Sequence, residues 1–527
     1  MNVTTEKIFS RMTLEEKVGQ MFQVGFKGTG IDSDIKEIIE DYHVGGVIYF
    51  RRNIESLKQV SNLSNDLQKL AMDKKLHLPL LISTDQEGGR VSRLSGGTHF
   101  PGNMLIGATG SPSFAEKVGR QVALQLKAVG INMDLAPVMD INSNPQNMHI
   151  GTRSFGGDAN LVAKMGAAFI KGMQKEGVIA CAKHFPGHGS TVADSHLELP
   201  VIKFSSEHLE KLEIYPFKEA VKAGVDSIMT AHIYVPALES KKGIPTTLSY
   251  SILTDLLRNK MAYKGVIITD CMEMKAISDN FGTVEGSVMA IEAGADIVLI
   301  SHSPGRQKAA IKETIKAVKK GRINMERIED SVLRILKLKS ERIGLKNIPL
   351  ADYKKINREK EEKIAYEVSK AGVTLVRNEN NLIPIKNKYK KVTVIDFPVK
   401  KLSLAEDEIE NNDLLVNFLR KKGIDDVEHI ILGNSEPLSL PEYVDLVIVC
   451  IYSSLNDSHQ IKIVKELQDS DIPVIVISDN PFNMQSLSGI DAFLAIYDCS
   501  PSNLKVAAEI MTGEYEAEGT LPVSLKN

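Results

Sequence analysis

A single loop, residues 183–200, carries the densest set of side chains capable of chemistry. It reads KHFPGHGSTVADSHLELP. Pro186, Gly187 and Gly189 exclude a helix through 186–189. A polar loop of this length is usually functional. The two glycines further indicate a loop that moves. Its ionisable side chains of interest are Lys183, His184, His188, Asp194 and His196.

The triplet Asp194-Ser195-His196 suits proton transfer. An Asp two residues before a His can accept the ring N–H and set the tautomer of the imidazole, which leaves the other nitrogen free to give or take a proton. Taken alone, such a triplet is more often a chance group of polar residues on a surface loop. The assignment therefore depends on the residues that surround it.

A metal site built from His184, His188 and His196 is the competing interpretation of this loop. His184 and His188 cannot share a helical face here, and the loop has neither a cysteine nor the HExxH spacing of zinc sites. We therefore expect no metal ion and no cofactor.

The elements that must position this loop are short apolar runs in the first 300 residues. Such near-continuous runs predict strands buried on both faces, and amphipathic segments of helical period separate them. Eight alternations of strand and helix over about 300 residues predict a TIM (β/α)8 barrel, with an open doubly wound sheet as the alternative. The runs are 21–26, 45–50, 79–85, 131–140, 178–184, 226–233, 265–270 and 296–300.

Polar residues close five of these eight predicted strands. In a barrel the carboxyl ends of the strands share one rim, which holds the active site. A lone Asp at such an end is as well explained by capping of the next helix, but five polar ends together are not. The residues at these ends are Asp85, Asp140, the pair Lys183-His184, His232 and Asp270.

A second domain follows the barrel. The charged stretch 357–370 predicts a helix that leaves the barrel, and strands are predicted at 391–397, 428–433, 444–451, 473–479 and 492–498. We expect a smaller doubly wound α/β sandwich domain, with boundaries of 1–340 for the barrel, 341–380 for a linker helix and 381–527 for the second domain. No nucleotide-binding motif is present. The acidic stretch 406–408 is interpreted as a solvated surface, and we expect no catalytic residue from this domain.

Charge and composition exclude several classes of partner. Lys plus Arg is 64 and Asp plus Glu is 67, so no basic excess favours a nucleic-acid partner. Four scattered cysteines form no CxxC motif. The N-terminus lacks an apolar signal region and no run of 18 apolar residues occurs, so we expect no membrane association and a cytoplasmic location.

The string KHFPGHG-x4-DSH resembles the signature of the β-N-acetylglucosaminidase branch of glycoside hydrolase family 3. Further segments are similar to landmarks of that family along almost the whole chain. They are MTLEEKVGQMF at 12–22, STDQEGGRVSRL at 83–94, RSFGGD at 153–158, ITDCMEMKAI at 268–277, AGVTLVRNENNLIPI at 371–385 and GTLPVSL at 519–525.

The resemblance implies a retaining exo-β-N-acetylglucosaminidase that acts on a small carbohydrate substrate. Asp270 matches the nucleophile, and Asp194 with His196 matches the acid/base dyad. The groups implied to hold sugar hydroxyls are Asp85, Arg153, Lys183 and His184, with weaker claims for Arg93 and His232. Peptidoglycan fragments or GlcNAc oligosaccharides are the implied substrates.

Several alternatives stay open at this stage. A β-glucosidase, a phosphorylase of the same family and an inactive sugar-binding relative are the runners-up, and water and phosphate both remain acceptors. A hexosaminidase that uses the substrate's acetamido group is disfavoured, because an Asp occupies the nucleophile position.

Overall fold

Eight parallel strands close into a barrel in the first part of the computed structural model. The structure describes residues 3–74, 76–191, 199–346, 348–386, 388–399, 401, 405–407, 413–433, 435–452 and 458–525. In chain order the barrel strands are β1 (Phe22–Gly25), β2 (Gly46–Ile48), β3 (Leu81–Thr84), β6 (Met133–Asp134), β7 (Ile179–Phe185), β8 (Ser227–Thr230), β9 (Val266–Cys271) and β10 (Ile297–Ile300), and a hairpin of β4 (Gln86–Gly88) and β5 (Val91–Ser92) follows β3. The predicted TIM barrel is therefore confirmed.

Helices surround the barrel and join successive strands. The barrel strands are buried on both faces because side chains fill the interior while the helices cover the outside. The helices are α1 (Val3–Phe9), α2 (Leu14–Gln20), α3 (Ser33–Asp41), α4 (Leu57–Met72), α5 (Asn103–Ala108), α6 (Pro112–Ala128), α7 (Ala159–Lys175), α8 (Ser206–Lys211), α9 (Tyr215–Lys222), a π-helix (Ser251–Lys260), α10 (Lys275–Ser278), α11 (Thr283–Ala293), α12 (Pro304–Lys319) and α13 (Met325–Arg342).

The fourth barrel strand is much shorter than the predicted run 131–140. Its ladder ends at Asp134, and the pairing continues as an isolated bridge between Val138 and Lys183 and as separate backbone hydrogen bonds, such as that from the Cys181 N–H to the Ala136 carbonyl (2.8 Å). Pro137 lacks the N–H that a continuous ladder needs, which explains the interruption. Asp140 therefore stands in the loop after the strand rather than at its end.

The second domain is a six-stranded sheet in the order β11-β16-β15-β14-β12-β13. All pairs are parallel except β11 with β16, as expected for a doubly wound sheet with one antiparallel edge. Its elements are α14 (Arg358–Gly372), β11 (Thr374–Asn378), β12 (Lys391–Asp396), α15 (Leu414–Lys421), β13 (Asp426–Ile431), β14 (Leu446–Ile451), α16 (Ser458–Gln468), β15 (Val474–Ser478), β16 (Ala492–Ala495) and α17 (Pro501–Thr512).

The range 341–380, predicted as a linker helix, contains more than a linker. Its helix is α14, but β11 lies in the same range and pairs with β16 of the second sheet. The second sheet thus begins before residue 381. The sequence pattern missed this edge strand because it is only half-buried and reads as mixed polar and apolar.

The two domains share an extensive interface. Helix α14 packs against α5 and α6 of the barrel and against α17 of the second domain. The C-terminal segment also returns to the barrel, where the Thr520 N–H donates to the Ala108 carbonyl (3.0 Å) and the Pro522 carbonyl accepts from the Gly157 N–H (2.9 Å). Among the described helices, none combines the length and the apolar character needed to cross a bilayer.

Candidate active site

A pocket of ≈520 Å³ opens at the carboxyl ends of the barrel strands. It brings together five of the predicted site residues, which come from different strand ends and loops. They are Asp85, Arg153, Lys183, His184 and Asp270, and Arg93 lines the same pocket.

Asp270 lies near the end of β9, where the ladder finishes at Cys271. Its Oδ1 accepts a hydrogen bond from the Cys271 backbone N–H at 2.6 Å. A backbone N–H favours the ionised carboxylate. Asp270 is half-buried, so its carboxylate is held at the wall of the pocket and still reaches the cavity.

His232 lies behind this strand end and does not line the pocket. Its Nε2 lies 3.0 Å from the Cys271 carbonyl oxygen, and its Nδ1 lies 2.8 Å from the Thr247 Oγ1. The side chain is completely buried. These contacts hold His232 against the backbone next to Asp270, and its role in sugar binding stays a prediction.

Two buried cations and two carboxylates form the floor of the pocket. The Lys183 Nζ lies 2.7 Å from both the Asp85 Oδ1 and the Glu87 Oε1. The Arg153 guanidinium grips Glu87 through two hydrogen bonds of 2.8 Å, and its Nη1 donates to the His149 carbonyl at 3.1 Å. A guanidinium has five N–H donors, and these contacts use three of those of Arg153. The other two have no acceptor among the described residues.

The charges of this network fix its protonation state. Burial opposes the ionisation of Glu87, but Arg153 and Lys183 outweigh it and hold the pKa of Glu87 well below its usual range. Burial likewise works against the Lys183 ammonium, and Asp85 with Glu87 keeps the pKa of Lys183 above its ordinary value. The pocket floor therefore contains permanently charged hydrogen-bond donors and acceptors at neutral pH.

Asp140 holds the start of the histidine loop. Its buried carboxylate accepts from the His184 Nδ1 and the His188 backbone N–H, both at 2.7 Å. Burial raises the pKa of Asp140, but the neighbouring His184 outweighs it and the pKa is lowered overall. Since Nδ1 of His184 is occupied by Asp140, the Nε2 atom is the one left to face the pocket. The peptide bond between Lys183 and His184 is cis.

The loop glycines have a packing role that the sequence interpretation missed. Gly187 adopts φ +124°, and a Cβ there would lie 2.8 Å from the Glu213 Oε2. A Cβ on Gly189 would lie 1.7 Å from the Ile141 carbonyl oxygen. Both glycines are buried. These contacts give both glycines a role in close backbone packing, and movement of the loop stays a prediction.

Asp194 and His196 lie outside the described residues, which stop at 191 and resume at 199. Their role therefore stays a prediction, as do the sugar-binding roles of Asp85, Arg153, Lys183 and His184.

The acidic stretch of the second domain is not a solvated surface. Glu406 is only 4% exposed and accepts from the Arg90 Nη1 at 3.0 Å. The Asp407 Oδ1 accepts from the Arg93 Nη1 at 2.6 Å, and the Arg93 Nη2 donates to the Ala405 carbonyl at 2.6 Å. The first interpretation was therefore wrong for 406 and 407, and residue 408 lies outside the described residues.

These contacts connect the pocket with the second domain. Arg90 also pairs with Asp479, just beyond β15. Ala405 lines the pocket itself. The second domain thus supplies part of the pocket wall, although both of its described acidic residues there are paired with arginines.

Sequence reasoning missed several residues of the pocket. Glu87 stood in the quoted QEGGR motif, and its place immediately after the barrel rim was a usable signal. The other missed lining residues include Arg52, His149, Cys271, Glu273 and His302. Cys271 follows Asp270 directly in sequence, and Glu273 lies two residues further.

A family model agrees with this architecture. The model of the glycosyl hydrolase family 3 N-terminal domain matches residues 13–338. That range runs from the start of α2 into α13 and includes all eight barrel strands.

Similar proteins extend the likeness to the second domain. The chain is similar to the solved structure of a glycoside hydrolase family 3 β-N-acetylglucosaminidase from Paenibacillus sp. str. FPU-7, with 39% identity, a TM-score of 0.92 and coverage of 98% of this chain and 99% of that one. It is 36% identical to Beta-hexosaminidase A of Pseudoalteromonas piscicida over 70% of this chain, and the match spans 65% of that protein's length. It is 27% identical to a β-N-acetylglucosaminidase/β-glucosidase of Cellulomonas fimi over 98% of this chain and 94% of that protein.

Proposed function

The chain belongs to the β-N-acetylglucosaminidase branch of glycosyl hydrolase family 3, and on that basis we propose that it is a retaining exo-β-N-acetylglucosaminidase. The enzyme would remove terminal β-linked GlcNAc, with fragments of peptidoglycan as its natural substrates. The observation that carries the proposal is the position of Asp270 at the wall of a pocket whose floor is the Lys183, Asp85, Glu87 and Arg153 network.

Retention of configuration requires a nucleophile on one face of the anomeric carbon. Asp270 is proposed for this role because it is a half-buried carboxylate whose ionised form accepts a backbone hydrogen bond. Attack of Asp270 on the anomeric carbon would form a covalent glycosyl ester and release the leaving alcohol. Water would then cleave the ester with a second inversion.

The leaving oxygen needs a proton, and the attacking water must lose one. We assign both transfers to His196, oriented by Asp194, because the resemblance of the loop carries this dyad. An imidazole with a reference pKa of about 6.5 can perform both tasks near neutral pH. The support from the structure is indirect: Asp140 anchors the first half of the same loop beside the pocket.

The charged floor suits the binding of sugar hydroxyls. Asp85 offers acceptor oxygens, and Lys183 and Arg153 retain N–H donors. Because these groups are held by one another before substrate arrives, little side-chain ordering is needed on binding. The location in the cell is proposed to be the cytoplasm, where recycled wall fragments would be encountered.

Labelling tests the nucleophile. A 5-fluoro or 2-fluoro glycosyl donor should modify Asp270 in the wild type, as read by mass spectrometry of peptides. Asp270→Ala should abolish turnover, while Asp279→Ala, a change at an exposed aspartate on the neighbouring helix α10 end, should not. Labelling of another carboxylate would refute the assignment.

Substrate preference tests the branch. The enzyme should favour an aryl N-acetylglucosaminide over the aryl glucoside in kcat/KM, because groups that bond the acetamido would be left unpaired by a hydroxyl. Equal values would favour the β-glucosidase alternative, and no turnover of either would favour the inactive sugar-binding relative.

Release of GlcNAc from a muropeptide tests the natural substrate. Formation of GlcNAc 1-phosphate in phosphate buffer would favour the phosphorylase.

Leaving-group dependence tests His196. His196→Ala should slow hydrolysis of a natural disaccharide by about 10²–10⁴-fold, the usual contribution of general acid catalysis. Formation of the covalent intermediate from a nitrophenyl glycoside should suffer less, because nitrophenolate leaves without a proton. Azide, which needs no base, should restore turnover. Asp194→Asn should give a milder version of the same defects. An unchanged kcat on the disaccharide would exclude His196 as the donor.

A further inference from the structure

Three metal-binding side chains meet beside Asp270. Cys271 follows the nucleophile, Glu273 lies two residues further, and His302 lies just beyond the neighbouring strand β10. One ligand atom from each of the three lies within 4.8 Å of the other two. Because β9 and β10 are adjacent parallel strands, their carboxyl ends bring the three ligands to the same rim.

Glu273 contributes a buried carboxylate oxygen without a hydrogen bond in the described part of the chain, which points to a missing cation. Its side chain is only 4% exposed. Its Oε2 accepts from the His302 backbone N–H at 2.6 Å, but its buried Oε1 has no hydrogen-bond partner among the described residues. Among the described residues, the cation that pairs with that oxygen is the half-exposed Arg306 guanidinium, at 3.7 Å and without a hydrogen bond. A buried carboxylate oxygen without a hydrogen bond is costly unless a cation occupies its free side.

We propose that Cys271, Glu273 and His302 form a three-ligand site for a thiophilic divalent cation, with Zn²⁺ as the best match. Thiolate, imidazole and carboxylate are the three ligand types that zinc takes, and three protein ligands leave a fourth position open. A tetrahedral ion with bonds of about 2.0–2.3 Å holds its ligand atoms roughly 3.3–3.8 Å apart. Side-chain rotations that move the ligand atoms by about 1 Å would therefore close the site around the ion.

The open fourth position would face the pocket that contains Asp270. All three ligands line that pocket, so a bound ion would occupy space next to the nucleophile and attract its carboxylate. The ion should therefore inhibit the enzyme reversibly, in competition with the sugar. This second statement rests on the proposed function, whereas the binding of the ion does not.

Cobalt(II) provides a readout that does not depend on turnover. When Co²⁺ is titrated into the full chain after treatment with a chelator, a thiolate-to-cobalt charge-transfer band should grow and saturate at one ion per chain. Added Zn²⁺ should abolish the band. Cys271→Ser should eliminate the band, and His302→Gln should keep a thiolate available but weaken binding at least tenfold. The matched control is Cys499→Ala, which removes the other partly buried thiol and should leave the titration unchanged.

The outcomes separate the two statements. Absence of the band in the wild type, or its survival in Cys271→Ser, would overturn the site. Loss of the band in Cys499→Ala alone would place the ion elsewhere and also overturn it. If the band appears as expected, Zn²⁺ should raise the apparent KM for an aryl N-acetylglucosaminide, and Cys271→Ser should relieve that effect in whatever turnover the variant retains. Binding without inhibition would overturn only the competition with the sugar. Failure of all turnover in the wild type would refute the proposed function and leave the cobalt result standing.

Discussion

Removal of Glu87 together with its partner Arg153 should destabilise the barrel far less than the sum of the two single removals. Glu87, Asp85, Arg153 and Lys183 form a buried group with two negative and two positive charges. Glu87→Gln leaves one uncompensated positive charge, and Arg153→Met leaves one uncompensated negative charge. Breaking a buried pair in this way costs about 3–5 kcal/mol. The double variant leaves the balanced Lys183 and Asp85 pair, so its loss should be far smaller than the sum of the two single losses.

The coupling between Glu87 and Arg153 should therefore be about 3 kcal/mol or more. The matched control is the Glu207 and Lys211 pair on α8, whose side chains are 77% and 72% exposed. Its coupling should be only about 0.3–0.5 kcal/mol. Because the chain has no Trp, unfolding in urea is best followed by far-ultraviolet circular dichroism, with slopes compared between variants. A buried coupling no larger than that of the control would refute the reasoning.

Three further predictions follow from single residues. Gly189→Ala should lower kcat/KM for the disaccharide at least tenfold, because the new Cβ would overlap the Ile141 carbonyl and displace the histidine loop. The melting temperature should also fall. Wild-type kinetics would contradict the packing described for Gly189. Burial lowers the pKa of Lys339 to about 7, so between pH 7 and about 10.5 the unfolded chain binds one proton more than the folded chain. The contribution of this group to stability therefore rises with pH by about 1.4 kcal/mol per unit. Lys339→Met should stabilise the protein at pH 7 and the gain should shrink towards pH 10, whereas a gain independent of pH would show that the lysine is not neutral when folded. Burial raises the pKa of Glu213 to about 7, so between about pH 4.5 and 7 the folded chain binds one proton more than the unfolded chain, and the contribution of this group to stability falls as pH rises. Glu213→Gln should remove that fall. Equal pH profiles of the melting temperature for the wild type and the variant would argue against this.

The barrel was readable from sequence because its strands are apolar runs, and five of the eight predicted runs end in polar residues. The carboxyl ends of parallel strands must meet at one rim, so Asp85, Lys183, His184 and Asp270 could be assigned to a common site without coordinates. The length of the fourth strand was overestimated because the apolar run continues past Pro137. The pattern of apolar residues does not reveal that a proline lacks the backbone N–H needed for the ladder. The edge strand β11 was missed because its half-buried residues show neither alternation nor a continuous apolar run.

The errors of greater consequence concern contacts between residues distant in sequence. Arg90 and Glu406 are 316 positions apart, and nothing near either residue indicates the other. An acidic tripeptide is usually solvated, so the local pattern favoured the wrong interpretation of Glu406 and Asp407. Glu87 was overlooked for a similar reason: its partners Arg153 and Lys183 approach it only after the barrel closes.

The insertion of Arg90 into the carboxyl edge of the second sheet makes that domain an intramolecular ligand of the barrel. In doubly wound sheets this edge is where small molecules usually bind, and here Asp479 and Asp498 receive the Arg90 guanidinium and the Gly102 N–H instead. The connection through residues 343–357 keeps the two partners at a high effective concentration, typically millimolar for a short tether. A cut in that connection would turn a permanent contact into an ordinary binding equilibrium. The Ala405 wall of the pocket would then be lost on dilution, even though every residue at the barrel rim stayed in place.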